Sequence, residues 1–205
     1  MQRVKRGLGV LASVLTACGA VDVRQSFVVL AALSASACRA VRTAVQPVLL
    51  NDVHSRLNAT RVAAVVSPQS TAELTELIRD AKREGQTVSV SAGRHAMGGQ
   101  QFGTDTVHIS MSQMDDVLSF DRQRGIVRVE AGIGWPKLFK YLRAQQPEPG
   151  PVWAVAQKQT GADQLSLGGA LSANAHGRGL RFRPMIQDVE AFTLVNADGD
   201  LLMVS

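Results

Sequence analysis

A chain of 205 residues, 45% of them hydrophobic, is long and apolar enough for one or two compact domains with a real core. The net charge of +5 does not point to nucleic acid: six of the 22 Lys/Arg but only one of the 17 Asp/Glu lie in residues 1–42, leaving 16 of each sign elsewhere. Both cysteines, Cys18 and Cys38, also fall in that first stretch, so from residue 39 onward disulfides, thiolate metal sites, nucleophilic cysteines and cysteinyl links to a cofactor are excluded.

The chain opens on an address. Arg3, Lys5 and Arg6 precede an apolar run from Leu8 to Ala17, and Leu15-Thr16-Ala17-Cys18-Gly19 follows the pattern of a bacterial lipoprotein signal. The run is too short to span a bilayer. A second leader of the same kind follows, with Arg24, an apolar run from Phe27 to Leu33, and Ala35-Ser36-Ala37-Cys38. Residues 1–38 therefore read as a leader, with Cys18 or Cys38 as the lipid-anchor site and a later start near Val21 as one explanation of the repetition. The expected location is the periplasm, or the membrane through a lipid anchor, of a bacterium. Residues 39–57 read as a connecting segment, part helical, in which His54 could approach a cofactor but more often has a structural role.

Residues 58–205 read as the folded domain. Arg61 to Val66 is a strand closed by Pro68. Ser70-Thr71-Ala72-Glu73 is a capping box that opens a helix, with Leu74, Leu77, Ile78 and Ala81 on one face and Gly85 as its stop. Thr87 to Val90 is the next strand, which completes a β-α-β unit. Thr106 to Ile109 is another. Val117–Phe120 and Ile126–Glu130 form a hairpin. Trp135-Pro136 opens a second helix with Leu138, Phe139 and Leu142 on its apolar side. Val189–Val195 and Leu201–Val204 flank Asn196-Ala197-Asp198-Gly199, a hairpin turn.

Two glycine-rich segments carry the chemistry. Ser91-Ala92-Gly93-Arg94-His95-Ala96-Met97-Gly98-Gly99-Gln100 leaves the carboxyl end of a strand, where open α/β sheets bind ligands. Successive backbone N–H groups in such a turn form a concave anion site suited to a pyrophosphate. The second runs from Thr160 to Gly179. No G-x-x-x-x-G-K-[ST] is present, and Gly132-Ile133-Gly134 continues as Trp135-Pro136-Lys137, so it breaks the G-x-G-x-x-G pattern. A P-loop and a Rossmann site are both excluded on those grounds.

Over residues 58–205 the chain resembles the FAD-binding domain of the vanillyl-alcohol oxidase / p-cresol methylhydroxylase (PCMH-type) flavoprotein family. The likeness rests on the β-α-β opening, the Gly-Arg-His loop at 93–95 and Val129-Glu130-Ala131-Gly132 before a helix. It rests also on Leu167-Gly168-Gly169-Ala170-Leu171-Ser172-Ala173-Asn174, and on Asp188-Val189-Glu190 leading to the 196–199 turn. The resemblance implies an α+β fold of two subdomains, a small β-α-β one and a larger, mainly antiparallel sheet with flanking helices, here C-terminally incomplete and without a substrate domain.

The resemblance also implies FAD as cofactor. Ala92, Gly93, Arg94, His95 and Ala96 would wrap its pyrophosphate, with Gln100 further along that wall. His95 would be the covalent attachment to the 8α-methyl. Ser166 and Ser172 would hydrogen-bond flavin or phosphate, Gly161, Gly168 and Gly169 would let the backbone lie against the rings, and His176 would line the cavity. Arg94-His95-Ala96 stands where the family often has Gly-His-Ser, so one hydroxyl is missing. No metal and no nucleic acid is implied, and the catalytic base is not identified. The implied activity is hydride transfer from a small organic substrate, an alcohol, to flavin; the alternative is a non-catalytic FAD-binding remnant or a subunit that needs a partner domain.

Overall fold

The computed structural model describes residues 9–13, 47–146, 152–158, 163–177, 179, 181 and 183–205. Cys18, Cys38, Gly161 and Arg178 lie outside them.

The amino-terminal half builds a small parallel sheet. β2 (Val48–Leu50) and β3 (Thr60–Val62) pair antiparallel, and Ala63 separates β3 from β4 (Ala64–Val66), so the single strand expected over 61–66 is two short ones. Residues 39–57 were expected to be part helical. Their described part instead holds strand β2 followed by a polar turn, because the Asn51, Asp52 and Ser55 side chains bond to local backbone and so compete with helix formation.

Helix α1 (Thr71–Arg83) begins as its sequence dictates. Ser70 Oγ accepts from the N–H of Glu73, and the Glu73 carboxylate reaches back to the N–H of Gln69. Leu74, Ile78 and Ala81 are buried along one stripe. Ser70→Ala removes the side-chain acceptor of that cap and should cost about 1 kcal/mol. Urea unfolding reads it, and a midpoint equal to the parent's would refute the assignment.

From α1 the chain enters β5 (Val88–Ser91), then crosses to β6 (Val107–Ser110). β6 lies between β4 and β5 and is parallel to both, giving the order β4-β6-β5. The β-α-β unit is therefore present, but β6 lies between its two strands.

The second sheet holds two antiparallel hairpins. β7 (Val117–Asp121) pairs with β8 (Ile126–Glu130), and β9 (Ala191–Val195) pairs with β10 (Leu201–Val204). Between the hairpins lies β1 (Gly9–Ser13), parallel to both β8 and β9. Residues that read as the apolar part of a leader thus occupy the middle of a five-stranded sheet.

Helix α2 (Trp135–Ala144) packs Trp135, Leu138 and Leu142 into a core with Val127, Val129, Ile133 and Leu167. Phe139, expected on the apolar side, is 39% exposed and stacks on the Trp135 ring instead. A second core joins α1 to both sheets through Leu74, Ile78, Ile109, Met111, Met114 and Val195. Gly132 sits at the joint: its N–H donates to the Met114 carbonyl at 2.8 Å, and its Cα lies hard against the Met111 backbone.

Candidate functional site

Strand β5 ends at Ser91, and the chain turns through a loop in which Arg94 (φ 54°) takes the left-handed region. Gly93 must be glycine. A Cβ there would lie 2.8 Å from the Gln164 carbonyl oxygen and 2.8 Å from His95 Cδ2. That close approach seats the first glycine segment directly against the second. Gln101 clamps the loop from inside, its Oε1 accepting from the Ala96 N–H and its Nε2 donating to the Ala96 carbonyl.

Residues 51–58 brace the loop from outside. The buried Asp52 carboxylate accepts from the backbone N–H groups of His54, Ser55 and Arg56, from Ser55 Oγ and from Asn58 Nδ2. Burial pulls its carboxyl upward, but the hydrogen bonds from Asn58, Ser55 and the backbone outweigh that and hold it well below the usual carboxylate range. So fixed, the turn donates the Val53 N–H to the Arg94 carbonyl at 3.0 Å and Asn58 Nδ2 to the Met97 carbonyl at 2.6 Å.

The same turn brings His54 Nε2 to 2.7 Å from His95 Nδ1, with the two rings edge to face. Burial, and then the charge His54 can carry, push the His95 imidazole below its ordinary value, so it is neutral at pH 7. Sequence reading gave His54 a structural role. Its local motif gave no sign that the Asp52 turn would fold it 41 positions along the chain onto His95.

The two glycine segments share one cavity of about 510 Å³. Ala92, Gly93, Arg94, His95, Ala96 and Gln100 line one wall. Ser166, Gly168, Gly169 and Ser172 line the other, on helix α3 (Leu167–Ser172) and its cap. Ser91, Met111 and Ala131 also line it and were not singled out from sequence as site residues. Ser166 Oγ caps α3 by accepting from the Gly169 N–H, and Ser172 Oγ donates to the Gly168 carbonyl, so both hydroxyls also shape their own helix.

His176 is not among the residues lining this cleft. After α3, Asn174 turns left-handed (φ 47°), and Ala175 is buried against Met185, which carries the chain away. His176 ends exposed in a separate crevice beside Gln157, Lys158 and Met185, with Nδ1 against its neighbour's Gly177 carbonyl.

Residues 62–205 match the family model described as the FAD binding domain. The chain belongs to the PCMH-type FAD-binding flavoprotein family. Among this family's members, L-gulono-1,4-lactone dehydrogenase of Mycobacterium tuberculosis is 32% identical over 143 residues, which are 70% of this chain and 32% of that protein. L-gulonolactone oxidase of Mus musculus is 31% identical over 139 residues, 67% of this chain and 30% of its own. In three dimensions the PCMH-type fold is matched by the carbohydrate oxidase of Microdochium nivale at a TM-score of 0.61 and 21% identity, over 71% of this chain and 30% of that one. An alkyldihydroxyacetonephosphate synthase matches at a TM-score of 0.60 and 23% identity, over 73% and 30%. The chain spans about a third of the length of these relatives.

The cleft fits the FAD of this family on its own geometry. Its volume lies within the range of small-molecule sites, and its two walls come from the two glycine segments, which pack closely because Gly93, Gly168 and Gly169 lack a Cβ: one would lie 2.8 Å from the Gln164 carbonyl oxygen, 2.8 Å from Ala131 Cβ and 2.9 Å from Ser166 Oγ, respectively.

Proposed function

We propose that the chain is the flavin-holding domain of an oxidoreductase that takes a hydride from a hydroxyl-bearing carbon of a small polyhydroxylated substrate, with His95 as the covalent tether of FAD. The observation that carries this reading is the shared cleft, in which a neutral imidazole faces a cavity walled by both glycine segments. The substrate class rests on the names of the relatives, which speak of a lactone and of carbohydrate.

Bound FAD supplies hydride acceptance and onward electron transfer. The chain's own residues supply the rest. The loop over 92–96 offers backbone N–H groups to a pyrophosphate, except that of Ala96, which is bonded to Gln101 Oε1. His54 holds the His95 ring at one edge. Gly168 and Gly169 keep the facing wall flat. A neutral imidazole keeps a lone pair for bond formation, which a protonated one lacks.

The test is colour after acid. The parent protein, saturated with FAD and precipitated, should keep its absorbance near 450 nm (about where flavins absorb) in the pellet. His95→Ala should release it to the supernatant. Colour in the mutant's pellet overturns the assignment of His95, and a parent protein that never takes up flavin overturns the reading as a whole. Yellow protein that oxidises no polyhydroxylated substrate favours the non-catalytic alternative.

The leader motifs support export and a lipid anchor at Cys18 or Cys38 as a further part of this proposal. Cleavage ahead of either cysteine removes β1 and leaves β8 and β9 without their shared neighbour. The intact mass of the native protein decides it.

A further inference from the structure

Directly behind the first glycine loop, four side chains form one continuous hydrogen-bonded row. Thr106 Oγ1 lies 2.8 Å from the Gly103 carbonyl, Ser89 Oγ 2.7 Å from Thr106 Oγ1, His108 Nδ1 2.8 Å from Ser89 Oγ, and Ser91 Oγ 2.7 Å from His108 Nε2. His108 is 1% exposed, on the central strand β6, and Phe102 packs against its ring. Ser91 is the only one of these four side chains that lines the cleft.

The row has a direction, and proton counting fixes it. A carbonyl has no proton to give, so the Thr106 hydroxyl donates to Gly103. Each hydroxyl has a single proton, so Ser89 must donate to Thr106. Ser89 then accepts from His108 Nδ1–H. Burial, and then the nearby Arg94 charge, push His108 down to about 4, so it is neutral at pH 7 and its Nε2 is a bare lone pair. Ser91 therefore donates to His108.

We infer that Ser91 meets the cleft as a hydrogen-bond acceptor only, and that His108 is the positioning residue that makes it one. The group that Ser91 selects is a hydroxyl or N–H of the bound dinucleotide, not a phosphoryl oxygen. An anion cannot donate, and the proton Ser91 would offer it already points inward. The pyrophosphate is left to the backbone of the loop that follows. This inference rests on the FAD reading above.

Two measurements on the full chain test it. Nitrogen-15 NMR of the imidazoles at pH 7 should show His108 protonated on Nδ1 and bare on Nε2, whether or not flavin is bound. A proton on Nε2 overturns the inference. Titrations in the His95→Ala background, where FAD binds reversibly, should show Ser91→Ala weakening FAD binding about fivefold, the effect of one neutral hydrogen bond, while binding of inorganic pyrophosphate stays unchanged. An equal loss for pyrophosphate makes Ser91 a phosphate ligand and overturns the inference, as does unchanged FAD affinity. A parent protein that binds pyrophosphate but no FAD sinks the functional reading itself, which the variant results then identify as the failure.

Discussion

Replacing Gly132 by alanine should leave little folded protein. A Cβ at that position would lie 2.0 Å from the Met111 carbonyl oxygen and 2.6 Å from that of Met114. Both are backbone atoms, and no rotamer change relieves them. Met111 and Met114 are buried in the core that binds α1 to the sheets, while Ala131 and Ile133, on either side of Gly132, are themselves buried. Relief therefore requires separating the two cores and giving up the Gly132 N–H bond to Met114. The cost belongs with the rare substitutions of about 4 kcal/mol or more. For a chain of this size that lowers the melting temperature by about 10 °C or more. Gly85→Ala is the control. Gly85 has a positive φ (64°), but nothing lies within 4 Å of its Cβ position, so its cost should be about 1 kcal/mol. Equal melting temperatures for the two variants would contradict the geometry at Gly132.

The second large effect is acid sensitivity from His108. Its folded value of about 4 stands against an ordinary 6.5. Between those values the unfolded chain binds the proton and the folded chain does not, so stability rises with pH. The stabilisation is complete above about pH 6.5 and is lost as pH falls from there through 4. Allowing for solvent screening from the neighbouring cleft, it amounts to about 2 kcal/mol. His95 shifts in the same direction, so the parent's slope alone does not isolate His108. The measurement is the urea midpoint at pH 4, 5 and 7 for the parent and for His108→Gln. The variant should lose much of the slope. Parallel curves would show that His108 does not titrate out of the fold.

Much of the architecture was legible because its determinants are local. The capping serine and glutamate at 70 and 73, the apolar stripe of α1 and the Asn-Ala-Asp-Gly turn each act within a few residues, and the structure places each as expected. The two glycine segments were expected to share one cleft, and they line the same cavity. What the sequence hid was non-local. Nothing in Thr87–Val90 announces that β6 will insert beside it, because strand order is decided by packing across the sheet. His108 reads as one more residue of an alternating strand, and its role depends on two serines that are neighbours only once β5 and β6 pair. His176 illustrates the reverse error: a glycine-rich context suggested the cleft, but the turn at Asn174 faces it elsewhere.

The Asp52 turn bears on where this domain starts. The family match begins at residue 62, and the sequence suggested 58. Yet Val53 and Asn58 hold the backbone of Arg94 and Met97, and β2, upstream of either boundary, pairs with β3. A shortened chain starting at Arg61 would retain every residue of the cavity wall and lose the belt around it. Its 91–100 loop would lose the bonds from Val53 and Asn58 and the contact with His54, so the unit that braces this loop includes the segment from Pro47 onward.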